Sequence, residues 1–98
     1  MLDLIRRFHF DGIPIGAICA APLLLHDAGI LSEDTEYTAH GSTLDELPEL
    51  QTDRETIVSA NLITSRGAGT AVSFGLTLVE KLFGTEKAEE IKASIHAA

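Results

Sequence analysis

Apolar positions along the chain fall into runs whose spacing changes from helical to strand-like and back. In residues 2–9, LDLIRRFH, Leu2, Ile5 and Phe8 share one side at near-helical spacing while Arg6 and Arg7 face out, which predicts a helix broken by Asp11-Gly12. IPIGAI, residues 13–18, is a β-branched apolar run without polar alternation and reads as a strand buried on both faces. Pro14 lies early in that strand, where a missing N–H costs least. From Ala20 the spacing is helical again, with Pro22 in the first turn, Leu23 to Leu25 apolar and Gly29 as the C-terminal cap.

Further on, TEYTA (35–39) reads as a short strand, and HGSTLDELPELQTDRE (40–55) as a polar surface loop with one helical turn. TIVS (56–59) and LIT (62–64) are β-branched runs separated by Ala60-Asn61, which predicts a hairpin or kinked strand pair with Asn61 tolerating a positive φ. SRGAGT (65–70) is a glycine-containing turn. It leads into AVSFGLTLVEKLF (71–83), apolar nearly all round and so read as a buried helix ended by Gly84. The last segment, 85–98, puts Ala88, Ile91 and Ile95 on one helical stripe. Helices alternating with apolar strands indicate an α/β layered sheet, although the chain opens on a helix with no strand before it.

Composition narrows the function classes. Ninety-eight residues make at most one domain with a thin stability margin, and 45% hydrophobic content with 22% charged residues is globular rather than disordered. The net charge of −8 opposes phosphate backbones and anionic lipid, so neither nucleic acid nor a membrane surface is an expected partner. One cysteine cannot form an internal disulfide, and neither a signal peptide nor a membrane span is apparent; the reading is cytoplasmic. No metal-ligand spacing and no phosphate-binding loop occurs, so no cofactor and no metal are expected.

The single cysteine carries the candidate chemistry. Ala17-Ile18-Cys19-Ala20-Ala21 has the form small-x-nucleophile-x-small, the requirement of a sharp strand-to-helix turn whose two backbones nearly touch; Gly16 relieves crowding further. Such a turn places Cys19 near a helix N-terminus, whose partial positive charge favours an anion, and points the Ala20 N–H where an oxyanion could form. Against this stands inert packing, the commoner fate of a lone cysteine in an apolar sequence.

AICAAP, LLLHDAGIL and LITSRGAGTAVSFGLTLVEKLFG, in that order over nearly the whole chain, closely resemble the ThiJ/PfpI superfamily. The resemblance implies the C-terminal half of a flavodoxin-like three-layer α/β/α sandwich with a mostly parallel sheet, spanning residues 1–98 as a partial domain. It implies Cys19 as the reactive thiol, Ala20 as an oxyanion N–H, His40 beside the cysteine, and Ser65, Arg66, Gly67 and Gly69 in a turn beside the site, the glycines allowing tight approach and Thr70 capping the next helix. His9, His26 and His96 read as surface residues. Members are about twice this length, and their N-terminal half supplies the first strands, a glycine-rich turn of the oxyanion pocket and an acidic partner for the cysteine; Asp27, Glu33 and Asp34 do not match that position. The expected partner is a second copy in a homodimer or a chain supplying the missing half.

The function so implied is a cysteine-dependent action on small reactive carbonyls of the glyoxalase or deglycase kind. Different classes compete with it: an oxidative-stress sensor or chaperone working through Cys19 oxidation, an intracellular cysteine peptidase with His40 as base, or an inactive fragment.

Overall fold

The computed structural model describes residues 1–97 and contains four helices and three strands. In chain order these are α1 (Leu2–Phe10), β1 (Ile15–Ile18), α2 (Pro22–Asp27), β2 (Thr56–Ser59), β3 (Leu62–Ser65), α3 (Ala71–Phe83) and α4 (Thr85–Ser94). Single 3-10 turns occupy Gly41–Thr43 and Ala68–Thr70. The predicted last helix therefore stops at Ser94, and its final residue, Ala98, lies outside the described residues.

The sheet has the order β1-β3-β2. β1 pairs with β3 in parallel, Ile15 with Leu62 through Ile18 with Ser65, and β2 pairs with β3 antiparallel. The parallel character expected of the sheet is thus confined to one of its two pairings. β3 is central and buried at all four positions, whereas β1 is an edge strand. The expectation that β1 is buried on both faces fails for that reason: Ala17 is buried but Gly16 is exposed. On the Gly16 face lie Phe74 and Leu78 of α3, which contacts all three strands and packs against α4.

α3 itself has no buried residue, and Val72, Leu82 and Phe83 are exposed. An all-round apolar pattern implies cover on every side, and here the sheet and α4 supply it on only part of the circumference. α1 ends as predicted, Gly12 taking φ +71, and Arg6 does not simply face solvent: its Nε donates to the Ala28 carbonyl at 2.9 Å, placing a cation at the C-terminal end of α2. Gly29 follows with φ +76 and closes that helix.

The hairpin forms as predicted, but its positive φ of 53° belongs to Ala60 rather than Asn61. Asn61 is instead a buried clamp. Its Nδ2 donates to the Ile13 carbonyl at 2.8 Å, which turns Oδ1 toward His9 Nδ1 at 3.2 Å. Since Oδ1 only accepts, the proton of that bond sits on His9 Nδ1. His9 is accordingly half-buried between α1 and the hairpin, not a surface residue.

Residues 35–39 form no strand, although the backbone is held close to β3 by the Thr38 N–H donating to Thr64 Oγ1 at 3.0 Å. The segment predicted as a surface loop contains the turn at Gly41–Thr43, yet it also builds a core: Leu47 and Leu50 pack with Tyr37 and Ala39, flanked by Leu23 of α2 and by Leu31. Burial, and secondarily the Glu49 carboxylate, push the Tyr37 phenol above its ordinary 10.0. The unfolded chain therefore ionises first. The stabilising contribution of the neutral phenol is complete below about pH 10 and is lost as pH rises through the higher folded value. Urea midpoints should fall on going from about pH 9 to pH 11, and Tyr37→Phe should shrink that fall. An unchanged fall in the variant would place its cause elsewhere.

Candidate active site

β1 delivers the chain to Cys19, and α2 carries it away three residues later. Between them Cys19 has φ +67, a left-handed conformation that costs a non-glycine residue about 1–2 kcal/mol. Two hydrogen bonds hold it there: the Cys19 N–H donates to the Ser65 carbonyl at 3.0 Å, and the Cys19 carbonyl accepts from the His40 N–H at 2.7 Å. The thiol is exposed. Inert packing, the alternative reading of a lone cysteine, is not what the fold provides. Because the strain is in the backbone, Cys19→Gly should be more stable to urea than Cys19→Ala by about 1 kcal/mol. Equal midpoints for the two variants would mean that the bend carries no strain.

Ala20 is exposed beside the thiol, and its N–H is not spent on a backbone carbonyl among the described residues. His40 is exposed too, and its ring has a local task. Nδ1 accepts the Ser42 N–H at 3.1 Å and lies 2.9 Å from the Ser42 hydroxyl, capping the turn at Gly41–Thr43. A nitrogen that accepts from an N–H carries no proton, so the neutral ring has its proton on Nε2. The role expected for His40 as a base is thereby altered: in this geometry Nε2 is a donor.

Ser65 is fully buried, and its hydroxyl donates to the Glu55 carbonyl at 2.8 Å while meeting Thr56 Oγ1 at 2.9 Å and Thr70 Oγ1 at 2.7 Å. It holds the turn together and does not face the site. Thr70 precedes α3 as predicted, but its hydroxyl reaches back rather than forward, accepting the Gly67 N–H at 3.1 Å. Neither glycine is there for close approach. A Cβ on Gly67 would meet His40 Cδ2 at an ordinary 3.5 Å, and one on Gly69 would meet nothing within 4 Å.

Arg66 ties the turn to the preceding loop, its Nε donating to the Ala39 carbonyl at 3.2 Å and its Nη1 to the Thr52 carbonyl at 3.0 Å. With His40, Gly41, Gly67, Ala68, Gly69 and Thr70 it lines a concavity of about 460 Å³. The sequence pattern points to His40, Arg66, Gly67, Gly69 and Thr70 singly, but not to Gly41 or Ala68, nor to the long-range bonds that gather them. A second concavity, of about 580 Å³ and lined among others by His26, Tyr37, Glu46 and Glu49, has no sequence signal and includes neither Cys19 nor Arg66. Among the described residues no group of three or more His, Cys, Asp or Glu could hold a metal ion, and no helix is long and apolar enough to cross a membrane.

Known proteins resemble this chain in sequence and fold. The chain is 38% identical over 98 residues to protein dj-1beta of Drosophila melanogaster, covering 98% of this chain and 52% of that protein. It is 40% identical over 92 residues to the glutathione-independent glyoxalase DJR-1.2 of Caenorhabditis elegans, covering 91% of this chain and 48% of the relative. The crystal structure of Drosophila melanogaster DJ-1beta superposes with a TM-score of 0.92 at 37% identity, over 99% of this chain and 53% of that one. The chain thus spans about half the length of these two relatives. That match shows the α/β, flavodoxin-like class implied by the sequence. The model of the DJ-1/PfpI family matches residues 1–81, and with these relatives it establishes that the chain belongs to the DJ-1/PfpI family.

Proposed function

We propose that this chain carries the thiol-bearing half of a glyoxalase-like site that acts on small reactive carbonyls through Cys19. The observation that carries the reading is the exposed Cys19 thiol on a strained strand-to-helix turn, φ +67, next to an Ala20 N–H that meets no backbone carbonyl among the described residues. Two relatives are named glutathione-independent glyoxalases, and the chemistry that name denotes suits a protein thiol in place of a small-molecule one.

For a 2-oxoaldehyde the steps balance without an outside oxidant. The thiolate adds to the aldehyde carbon, forming the S–C bond, and the carbonyl π pair moves to oxygen and is protonated, giving a hemithioacetal. The C–H proton leaves to a base, the electron pair passing through an enediol, and a proton returns to the neighbouring carbon. The aldehyde carbon is thereby oxidised to a thioester and the ketone carbon reduced to an alcohol. Water then cleaves the thioester, releasing a 2-hydroxycarboxylate and the thiol. The Ala20 N–H stabilises the oxyanion formed in the first and last steps, and the His40 Nε2–H donates to the second carbonyl.

The glycine-rich turn and the acidic residue that the family resemblance assigns to the other half would complete this site, and a second copy of this chain is a further expected partner. The free edge of β1 and the exposed Val72, Leu82 and Phe83 of α3 suit such a partner. Methylglyoxal consumption tests the proposal: Cys19→Ala should abolish it, and retained consumption in that variant overturns the reading. The exposed thiol favours a second reading, a peroxide sensor. Intact mass should then show oxygen added at Cys19 before Met1 is oxidised, and the reverse order sinks it.

A further inference from the structure

The concavity lined by Arg66 and His40 differs in charge from the chain as a whole. The chain has 15 acidic residues against 7 basic ones, yet none of the residues lining this concavity is Asp or Glu, and two of them are Arg66 and His40. Arg66 is partly used: Nε and Nη1 are bonded to main-chain carbonyls, which fixes the plane of the guanidinium. Nη2 carries no hydrogen bond among the described residues, and it stands 3.6 Å from where a Cβ on Gly41 would be. Among the described residues no carboxylate forms an ion pair with Arg66.

Position relative to the thiol follows from the sheet. Ile18 pairs with Ser65 at the end of the parallel register, so Cys19 and Arg66 are the first residues beyond the paired ends of β1 and β3. The two main-chain bonds of Cys19 run to the carbonyl of Ser65, the residue before Arg66, and to the N–H of His40, which lines the concavity together with Arg66. A guanidinium held in one plane, with an unused Nη2 and a ring Nε2–H nearby, is a donor set for a planar carboxylate. Gly41 leaves the Nη2 side open.

We propose that this concavity is a carboxylate subsite, and that Arg66 selects carbonyl substrates bearing a carboxylate close to the carbon attacked by Cys19. This rests on the reading of Cys19 as the nucleophile and deepens it by naming the substrate class: 2-oxoaldehydes that carry a carboxylate beyond their two carbonyls, so that the enediol step is kept.

The test uses two alkylating agents of nearly equal size, iodoacetate and iodoacetamide. In each the thiolate forms an S–C bond and iodide leaves, so only the charge of the reagent differs. The ratio of the iodoacetate rate to the iodoacetamide rate at Cys19 should be about tenfold higher in the native chain than in urea. Arg66→Gln should return the ratio to the urea value, with Arg66→Lys retaining part of it. Because the Arg66 side chain also holds the loop, the unsubstituted chain supplies an independent arm. Lactate should slow iodoacetate more than iodoacetamide, whereas glycerol should slow neither.

Equal ratios in native and urea conditions, or a native ratio that survives Arg66→Gln, overturn the proposal. Selective competition by inorganic phosphate but not by lactate overturns the carboxylate assignment. Methylglyoxal consumption that persists in Cys19→Ala strikes the nucleophile reading instead and leaves the alkylation ratio untouched, so the two failures are distinguishable.

Discussion

Leu47→Ala should lower the stability of the chain by about 2–5 kcal/mol, the cost of emptying a core site. Leu47 is 0% exposed and packs with Tyr37, Ala39 and Leu50, while its N–H donates to the Thr43 carbonyl at 2.8 Å. A domain of this length has about 5–15 kcal/mol in all, so the loss is a large fraction of the total. Leu44→Ala, three residues away and 48% exposed, is the control and should stay within about 0.5 kcal/mol of the parent. Urea midpoints for the two variants decide the matter, and equal midpoints would mean that the segment is the surface loop its polarity suggests.

The effect should reach the site. Ala39 belongs to the same cluster as Leu47, and its carbonyl takes the Arg66 Nε; the next residue is His40, whose N–H holds the Cys19 carbonyl. Packing under residues 37–50 thus sets both walls of the concavity. A chain loosened there keeps its sheet and loses the register between the thiol and its neighbours.

Why this was hidden from the pattern is instructive. Thr43, Leu47 and Leu50 have the i, i+4, i+7 spacing of a helical face, but the run is short and broken at Pro48, and their burial comes from the extended stretch 35–39 rather than from any repeating element. The same stretch reads as a strand because Tyr and Thr favour one, yet it bonds to β3 through the Thr64 side chain. The Cys19 turn was legible because its need is local: small flanks at 17 and 21 are visible in the sequence. The hairpin was legible in its two β-branched runs, whereas the residue with positive φ was not, since Asn61 is held by the distant Ile13 and His9. For His40 the position was legible and the tautomer was not, because the proton follows from the Ser42 bond. Long-range hydrogen bonds, not residue types, decide these cases.

Gly16 shows the same division at a single residue, and its substitution is the second large effect expected. The local pattern assigns it to relief of crowding at the Cys19 turn, but a Cβ there would lie 2.9 Å from Phe74 Cζ and 3.1 Å from Leu78 Cδ2, both on α3. Valine favours strands over glycine by up to about 1 kcal/mol, so propensity alone makes Gly16→Val stabilising. Overpacking costs about 1–3 kcal/mol, and the two Cγ atoms of valine extend farther than the Cβ that is already too close. The net expectation is a loss of about 1–2 kcal/mol in urea unfolding. The contacts are with the far ends of two side chains on a half-covered helix, so shortening one of them should relieve most of the loss. In a Phe74→Leu background, Gly16→Val should cost less than half as much, a coupling that a double-mutant cycle reads directly. The same cost in both backgrounds would exonerate α3. Since β1 ends at Ile18 and passes straight into Cys19, a strand pushed off α3 carries the thiol with it, which makes this glycine, three residues before Cys19, a determinant of where the sulfur stands.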